Sequence, residues 1–138
     1  MDIIIKLRFI RSVYLIGFLL DGLTGIDMIL STFIPSAVAI PYTSMASSFR
    51  FAMGWGAALM LGWTVLLLWG ALKPIERRSV LLFTIIPVVL GLAITEILVD
   101  SVFMTNLLIF QFSVIIPLFA AAYILSLLMH RKNEDLEK

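Results

Sequence analysis

The sequence contains no cysteine, one histidine and few charged residues, and each shortage excludes a class of chemistry. Without cysteine the chain has no disulfide, no thiol nucleophile and no thiolate ligand for a metal. The one histidine, His130, stands beside Arg131 and Lys132 without a second ligand near it in the chain. No Ser-His-Asp set and no phosphate-binding glycine loop occurs. We therefore expect no catalytic residue, no metal and no cofactor, and a protein that is not an enzyme.

Charged residues make up 14% of the 138 residues, hydrophobic residues make up 62%, and the mean hydropathy is +1.11. A soluble domain usually carries about 25% charged residues. So few charges cannot cover a soluble surface, and we expect the lipid bilayer to be a partner. The net charge of +1, without a basic run interleaved with aromatic residues, predicts no nucleic-acid partner. The length suits a single domain over residues 1–138.

Four apolar stretches are long enough to cross a bilayer, whose hydrocarbon core of ~30 Å needs about 20 helical residues. They cover residues 13–34, 51–72, 80–99 and 104–129. Helices are required because an open strand edge cannot satisfy its backbone groups in lipid. The short links after the second and third stretches make successive helices antiparallel neighbours. The sequence thus predicts an all-α integral membrane protein, a four-helix bundle with antiparallel up-and-down topology.

Basic residues are concentrated on one side of this predicted bundle. Nine of them flank the start of the first helix, fill the second link or follow the fourth helix, and Arg50 stands alone on the opposite side. The nine are Lys6, Arg8, Arg11, Lys73, Arg77, Arg78, Arg131, Lys132 and Lys138. Basic loops stay in the cytoplasm, so we expect both termini there and the protein in the plasma (inner) membrane as a multi-pass protein.

Carboxylates lie inside the apolar stretches. A charged side chain at mid-bilayer costs roughly 2.5–3.5 kcal/mol or more, so an acid at that depth is a functional-site hypothesis. With a rise of ~1.5 Å per residue, Asp21 lies about 12 Å and Asp27 about 21 Å from the cytoplasmic end of the first helix. Both share one polar face of that helix with Gly17, Thr24 and Ser31, and this face is expected to look into the bundle.

Further polar residues are predicted in the same half of the bundle as Asp27, away from the cytoplasm, and Glu96 reaches a depth similar to that of Asp27. They are Glu96, Asp100, Gln111 and Arg50. Together with Asp27 they would form an outward-facing acidic pocket. Asp27 and Glu96 would be the proton or cation site, Asp21 a relay toward the cytoplasm, and Arg50 the gate or counter-ion. Two carboxylates held close in a low dielectric cannot both ionise cheaply, so one would bind a proton. Alternatively, Arg50 pairs with one acid and hydrogen bonds between helices satisfy the rest.

The second helix carries two more signals. Trp63 lies near mid-membrane, where it serves either core packing or the wall of a pocket for an apolar or cationic ligand. Gly54, Ala58 and Gly62 recur every four residues, a stripe of small residues that lets helices approach closely. We refer to these three residues as the small-residue stripe. It is explained equally by a homodimer and by packing within the bundle.

These features predict binding or proton-coupled transport of a small cationic or amphipathic molecule, with a small-molecule or lipid ligand as the partner. Two alternatives stay open. The chain could be an accessory or assembly subunit of a membrane complex, in which the buried acids serve structural contacts with another helix. It could also be a lipid-modifying enzyme that uses carboxylate acid–base chemistry.

Overall fold

The computed structural model describes residues 3–34, 46–99 and 109–136, without the side chains of residues 96, 99 and 132–136. These residues are helical apart from the turn at 73–78 and two residues at helix ends, and no strand occurs among them. The helices are α1 (Ile3–Phe33), α2 (Ser47–Leu72), α3 (Ser79–Phe83), α4 (Leu90–Val99) and α5 (Ile116–Leu136). Two π-helical segments precede the last two, π1 (Thr84–Val89) and π2 (Gln111–Ile115). The predicted all-α class is confirmed.

Two helices are long and apolar enough to cross a membrane, Ser47–Leu72 and Gln111–Arg131, and a shorter apolar helix covers Ser79–Thr95. The two long helices match the predicted second and fourth spans. The bundle, the other two spans and the orientation of the termini stay predictions. Large apolar side chains are exposed on every long helix; Leu59 on α2 is 70% exposed and Leu98 on α4 is 78% exposed. Monomeric soluble proteins rarely expose so much contiguous apolar surface, which favours association with a membrane.

The helices extend beyond the predicted spans. Helix α1 begins at Ile3, ten residues before the predicted start at 13, because residues 3–12 contain no glycine or proline that would end a helix. Its 31 residues measure about 46 Å, more than the ~30 Å hydrocarbon core. Helix α2 begins at Ser47, four residues before the predicted span, and α5 continues to Leu136, seven residues beyond it. The additional turns carry polar residues, which a helix tolerates outside lipid.

The chain divides into two compact units. Unit 2 covers Leu15–Trp69 and contains most of α1 and α2. The two helices run antiparallel in this unit. Residues further along α1 contact residues that come earlier in α2. A Cβ atom added to Gly22 would lie 3.3 Å from Cγ2 of Thr64, and one added to Gly25 would lie 2.9 Å from Cδ2 of Leu61. The absence of these two side chains therefore brings the helix backbones close together.

Unit 1 covers Met1–Tyr14 and Gly70–Lys138. The first turns of α1 are held against the end of α2 and the turn that follows it. The ring of Tyr14, which is fully buried, contacts Gly70, and its hydroxyl donates to the carbonyl of Arg77 at 2.8 Å. The Nε of Arg11 donates to the carbonyl of Ala71 at 3.1 Å. In the same unit α3 and π1 pack against α5.

Each π-helical segment adjoins a proline. Pro87 lies inside π1. Pro117 is the second residue of α5 and follows the last residue of π2 by two positions. A proline cannot donate to the carbonyl four residues earlier, which for Pro87 is that of Phe83. In a π-turn the amide reaches back five residues, as the amide of Leu90 does to the carbonyl of Ile85. This wider turn brings the residue after the proline within reach of the otherwise unpaired carbonyl.

Candidate functional site

Asp21 is the acid whose burial and hydrogen bonding the structure defines in most detail. It lies on α1 within unit 2, one turn before Gly25, on the face of the helix that packs against α2. The residue is half-buried, and its carboxylate oxygen Oδ2 is fully buried. No group in the described part of the chain forms a hydrogen bond with this oxygen. A buried oxygen of this kind is an unused acceptor in apolar surroundings.

The hydroxyl groups nearest to Asp21 along the helix pair are already used. Thr24 donates to the carbonyl of Leu20 at 2.8 Å. Thr64, which contacts the residue after Asp21, donates to the carbonyl of Met60 at 2.9 Å. Each hydroxyl thus bonds to its own helix backbone, as serine and threonine often do in helices. Neither proton is available to the carboxylate.

Arg50 is the single basic residue in the sequence of unit 2. Its Nε donates to the carbonyl of Thr32 at 2.9 Å. Thr32 lies in the last turn of α1, whose carbonyls lack helical partners and carry partial negative charge, so Arg50 caps that helix. Thr32 is 11 residues from Asp21, about 16 Å along the helix. Within unit 2, no cation therefore neutralises Asp21.

Asp27 has different surroundings. It is half-buried, and its main-chain carbonyl accepts a hydrogen bond from Oγ of Ser31 at 2.7 Å. Six residues separate it from Asp21, which places the two side chains about 120° apart around α1 and about 9 Å apart along it. The two aspartates of α1 therefore do not form a carboxylate pair with each other.

Most other buried polar side chains form a hydrogen bond with the backbone of their own helix. Like the hydroxyls of Thr64 and Ser31, the hydroxyl of Thr84 donates to a main-chain carbonyl, that of Val80, at 2.8 Å. The hydroxyl of Ser126 donates to the carbonyl of Tyr123 at 2.7 Å. These hydroxyl protons are used within the chain, in line with the structural interpretation of polar residues in apolar helices.

Gln111 is the exception in unit 1. It is the first residue of π2 and only 7% exposed, and its Oε1 has no hydrogen-bond partner among the described residues. The remaining members of the predicted pocket are less defined. Trp63 is half-buried on α2, and Glu96 lies on α4 with its side chain outside the described atoms. Asp100 falls outside the described residues. The pocket as a set therefore stays a prediction.

Among the residues that the structure describes, no three His, Asp or Glu side chains lie close enough to hold a metal ion. No protein-family model matches the chain, and neither a curated protein nor a solved structure is similar to it. Arg11 and Tyr14, which hold the turn of unit 1, were not predicted as site residues. The candidate site therefore rests on Asp21 and its surroundings.

Proposed function

We propose that this protein resides in a membrane and binds a small cationic or amphipathic molecule in exchange for a proton carried by Asp21. The observation that supports the proposal is the buried, unpartnered Oδ2 of Asp21 on an apolar helix pair. A lone carboxylate in such surroundings is costly in its charged form. It therefore either holds a proton or accepts a cation from outside the chain.

The exchange conserves charge at the site. Asp21 releases its proton to water, and the positive group of the ligand then pairs with the carboxylate. Because only the deprotonated form binds the cation, apparent affinity rises with pH. Apolar neighbours on α2, such as Leu61, suit a ligand that carries hydrocarbon as well as charge. Asp27 and Glu96 remain predicted members of the same binding region, without an assigned role.

The proposal is tested by measuring proton release on ligand binding. Purified full-length protein in a weakly buffered detergent solution with a pH-sensitive dye is titrated with tetraphenylphosphonium, a lipophilic cation that carries no proton of its own. At a mildly acidic pH, where Asp21 holds its proton before binding, we expect up to one proton released per bound cation in the wild type. Triphenylphosphine oxide, a neutral molecule of similar shape, should release none.

Two variants on the same helix make the test specific. Asp21→Asn should abolish proton release, whereas Asp27→Asn should retain it. The proposal is refuted if the wild type binds no cation, or if proton release survives in Asp21→Asn. Proton release that is lost only in Asp27→Asn would also refute it, because the exchanging acid would then be Asp27. In proteoliposomes, uptake of the cation driven by a pH gradient would extend binding to transport.

A second candidate function, association with another membrane helix, is favoured by the surroundings of the small-residue stripe. Apart from chain neighbours and the backbone of α2 itself, no described atom lies within 4 Å of a Cβ added to Gly54 or Gly62, and Ala58 is exposed. The stripe is therefore open within the described chain, as a homodimer interface or a contact with a partner subunit requires. Gly62→Leu should lower the yield of cross-linked dimer relative to Gly91→Leu, a matched change at another open glycine. Equal yields would exclude the stripe as the interface.

A further inference from the structure

Positive charge accumulates at one end of unit 1, where the start of α1 meets the turn between α2 and α3. Five residues form this group, which we call the basic end: Arg8, Arg11, Lys73, Arg77 and Arg78. Glu76 is the one acid in the turn, in an exposed salt bridge with Lys73 at 2.9 Å. Lys73 is paired with Glu76 and Arg77 has a further interaction within the chain, so Arg8, Arg11 and Arg78 carry most of the positive charge of the basic end. Like charges this close in sequence and space repel one another unless an anion joins them.

Hydrogen bonds to the backbone hold the basic end in place. Arg11 is tied to the carbonyl of Ala71 at 3.1 Å, one residue before the end of α2. Nη1 of Arg78 donates to the carbonyl of Ile75 at 3.2 Å. The turn itself is bound to α1 through the hydroxyl of Tyr14. The cations are therefore carried on a fixed backbone and cannot relieve their repulsion by separating the chain segments that carry them.

Exposed apolar side chains stand directly beside these cations in the chain. Leu72, next to Lys73, is 65% exposed, and Phe9, next to Arg8, is 36% exposed. A free phosphate ion would contact the cations and leave these apolar side chains uncovered. A molecule that joins an anionic group to hydrocarbon would cover both kinds of surface.

We propose that the basic end binds the headgroup of an anionic phospholipid, with the acyl chains lying against the apolar residues beside it. Clusters of Lys and Arg at the end of membrane helices attract acidic headgroups in this way. The proposal requires that the chain meets a membrane, but it does not require proton exchange at Asp21. The two proposals can therefore fail independently.

Arg50 supplies a matched control. Its Nε also donates to a carbonyl in the last turn of a helix, as Arg11 does, but no other basic residue lies between positions 15 and 69. Arg8 is exposed and makes no hydrogen bond in the described part of the chain, so its replacement leaves the backbone contacts intact.

The test is lipid binding to purified full-length protein in a non-ionic detergent, measured by native mass spectrometry. Dioleoyl phosphatidylglycerol is compared with dioleoyl phosphatidylcholine, which has the same acyl chains and no net charge. We expect tighter binding of the phosphatidylglycerol to the wild type. Arg8→Gln should weaken it about fivefold, and the double variant with Lys73→Gln more strongly. Arg50→Gln should leave it unchanged.

Three results would overturn the proposal. The first is equal binding of the two lipids. The second is an equal loss of binding in Arg8→Gln and Arg50→Gln, which would indicate a general effect of charge. The third is displacement of the phosphatidylglycerol by millimolar inorganic phosphate, which would make the basic end a site for free anions. Thermal unfolding of each variant in detergent without lipid verifies that the replacement leaves the fold intact.

Discussion

Gly70 offers the sharpest test of the packing in unit 1. A Cβ atom at this position would collide with Cε1 of Tyr14 and lie 3.0 Å from Cδ1 and 3.1 Å from Cζ. The ring cannot move aside easily, because Tyr14 is fully buried and its hydroxyl is bound to the carbonyl of Arg77. Gly70→Ala must therefore shift either the backbone of α2 or the ring.

Three contributions set the size of the effect. Overpacking a well-filled site costs about 1–3 kcal/mol. Displacement of the ring would weaken its hydrogen bond, which contributes about 1 kcal/mol. The greater helix propensity of alanine offsets up to about 1 kcal/mol. We expect Gly70→Ala to lower the free energy of unfolding by about 1–3 kcal/mol.

The assay is equilibrium unfolding in mixed micelles, followed by circular dichroism. Gly91→Ala is the control, because no described atom lies within 4 Å of a Cβ at that position, and it should cause no loss. The double variant Tyr14→Leu/Gly70→Ala should unfold with about the same free energy as Tyr14→Leu alone, since the smaller side chain leaves room for the methyl group. The reasoning is refuted if Gly70→Ala is as stable as Gly91→Ala, or if its cost persists without the ring.

Three further predictions use the same unfolding assay. Tyr14→Phe keeps the ring and removes the donor to Arg77, and should cost about 0.5–1.5 kcal/mol; no change would mean that the hydroxyl does not hold the turn. Arg50→Gln removes the cap on the carbonyl of Thr32 and should cost less than about 1 kcal/mol, with a smaller cost in high salt; an equal cost in high and low salt would contradict the electrostatic explanation. Asp21→Leu should raise stability by about 1–2 kcal/mol while abolishing proton release, because an unpaired buried oxygen is replaced by hydrocarbon; a loss of stability would indicate that Asp21 has a structural partner.

The helical class and the positions of the long helices could be predicted from sequence. The apolar length of a segment is a local property, and backbone groups in lipid permit little besides a helix. The helical period places Asp21 one turn before Gly25, which lies against Leu61 of α2, whereas Thr24, predicted on the same inward face, is exposed in the described chain.

The packing contacts could not be predicted in the same way. The regular spacing of Gly54 and Gly62 predicted an interface on one face of α2. Within the described chain, neighbouring side chains instead approach closely at Gly25, Gly56 and Gly70. Which glycine meets a neighbour depends on how the helices pair, and that is a tertiary property. The π-turns beside the prolines could not be predicted either, because a proline in a membrane helix is compatible with a kink, a wide turn or a break.

The roles of Arg11 and Tyr14 also needed the structure. In the sequence, Arg11 was one of several basic residues and Tyr14 stood at the start of an apolar span. Their bonds reach residues 60 and 63 positions away. No local pattern specifies contacts of that separation, although a tyrosine one helical turn after a basic residue is a typical anchor at a membrane boundary.

The central claim, that Asp21 is a buried acid that exchanges a proton for a cation, is tested most directly by infrared difference spectroscopy of the protein in lipid nanodiscs. We predict that the carbonyl stretch of a protonated carboxylic acid is present at mildly acidic pH, disappears when tetraphenylphosphonium is added, and is missing from Asp21→Asn. A spectrum without this band, or one in which the band survives in Asp21→Asn and responds to the cation unchanged, would contradict the account.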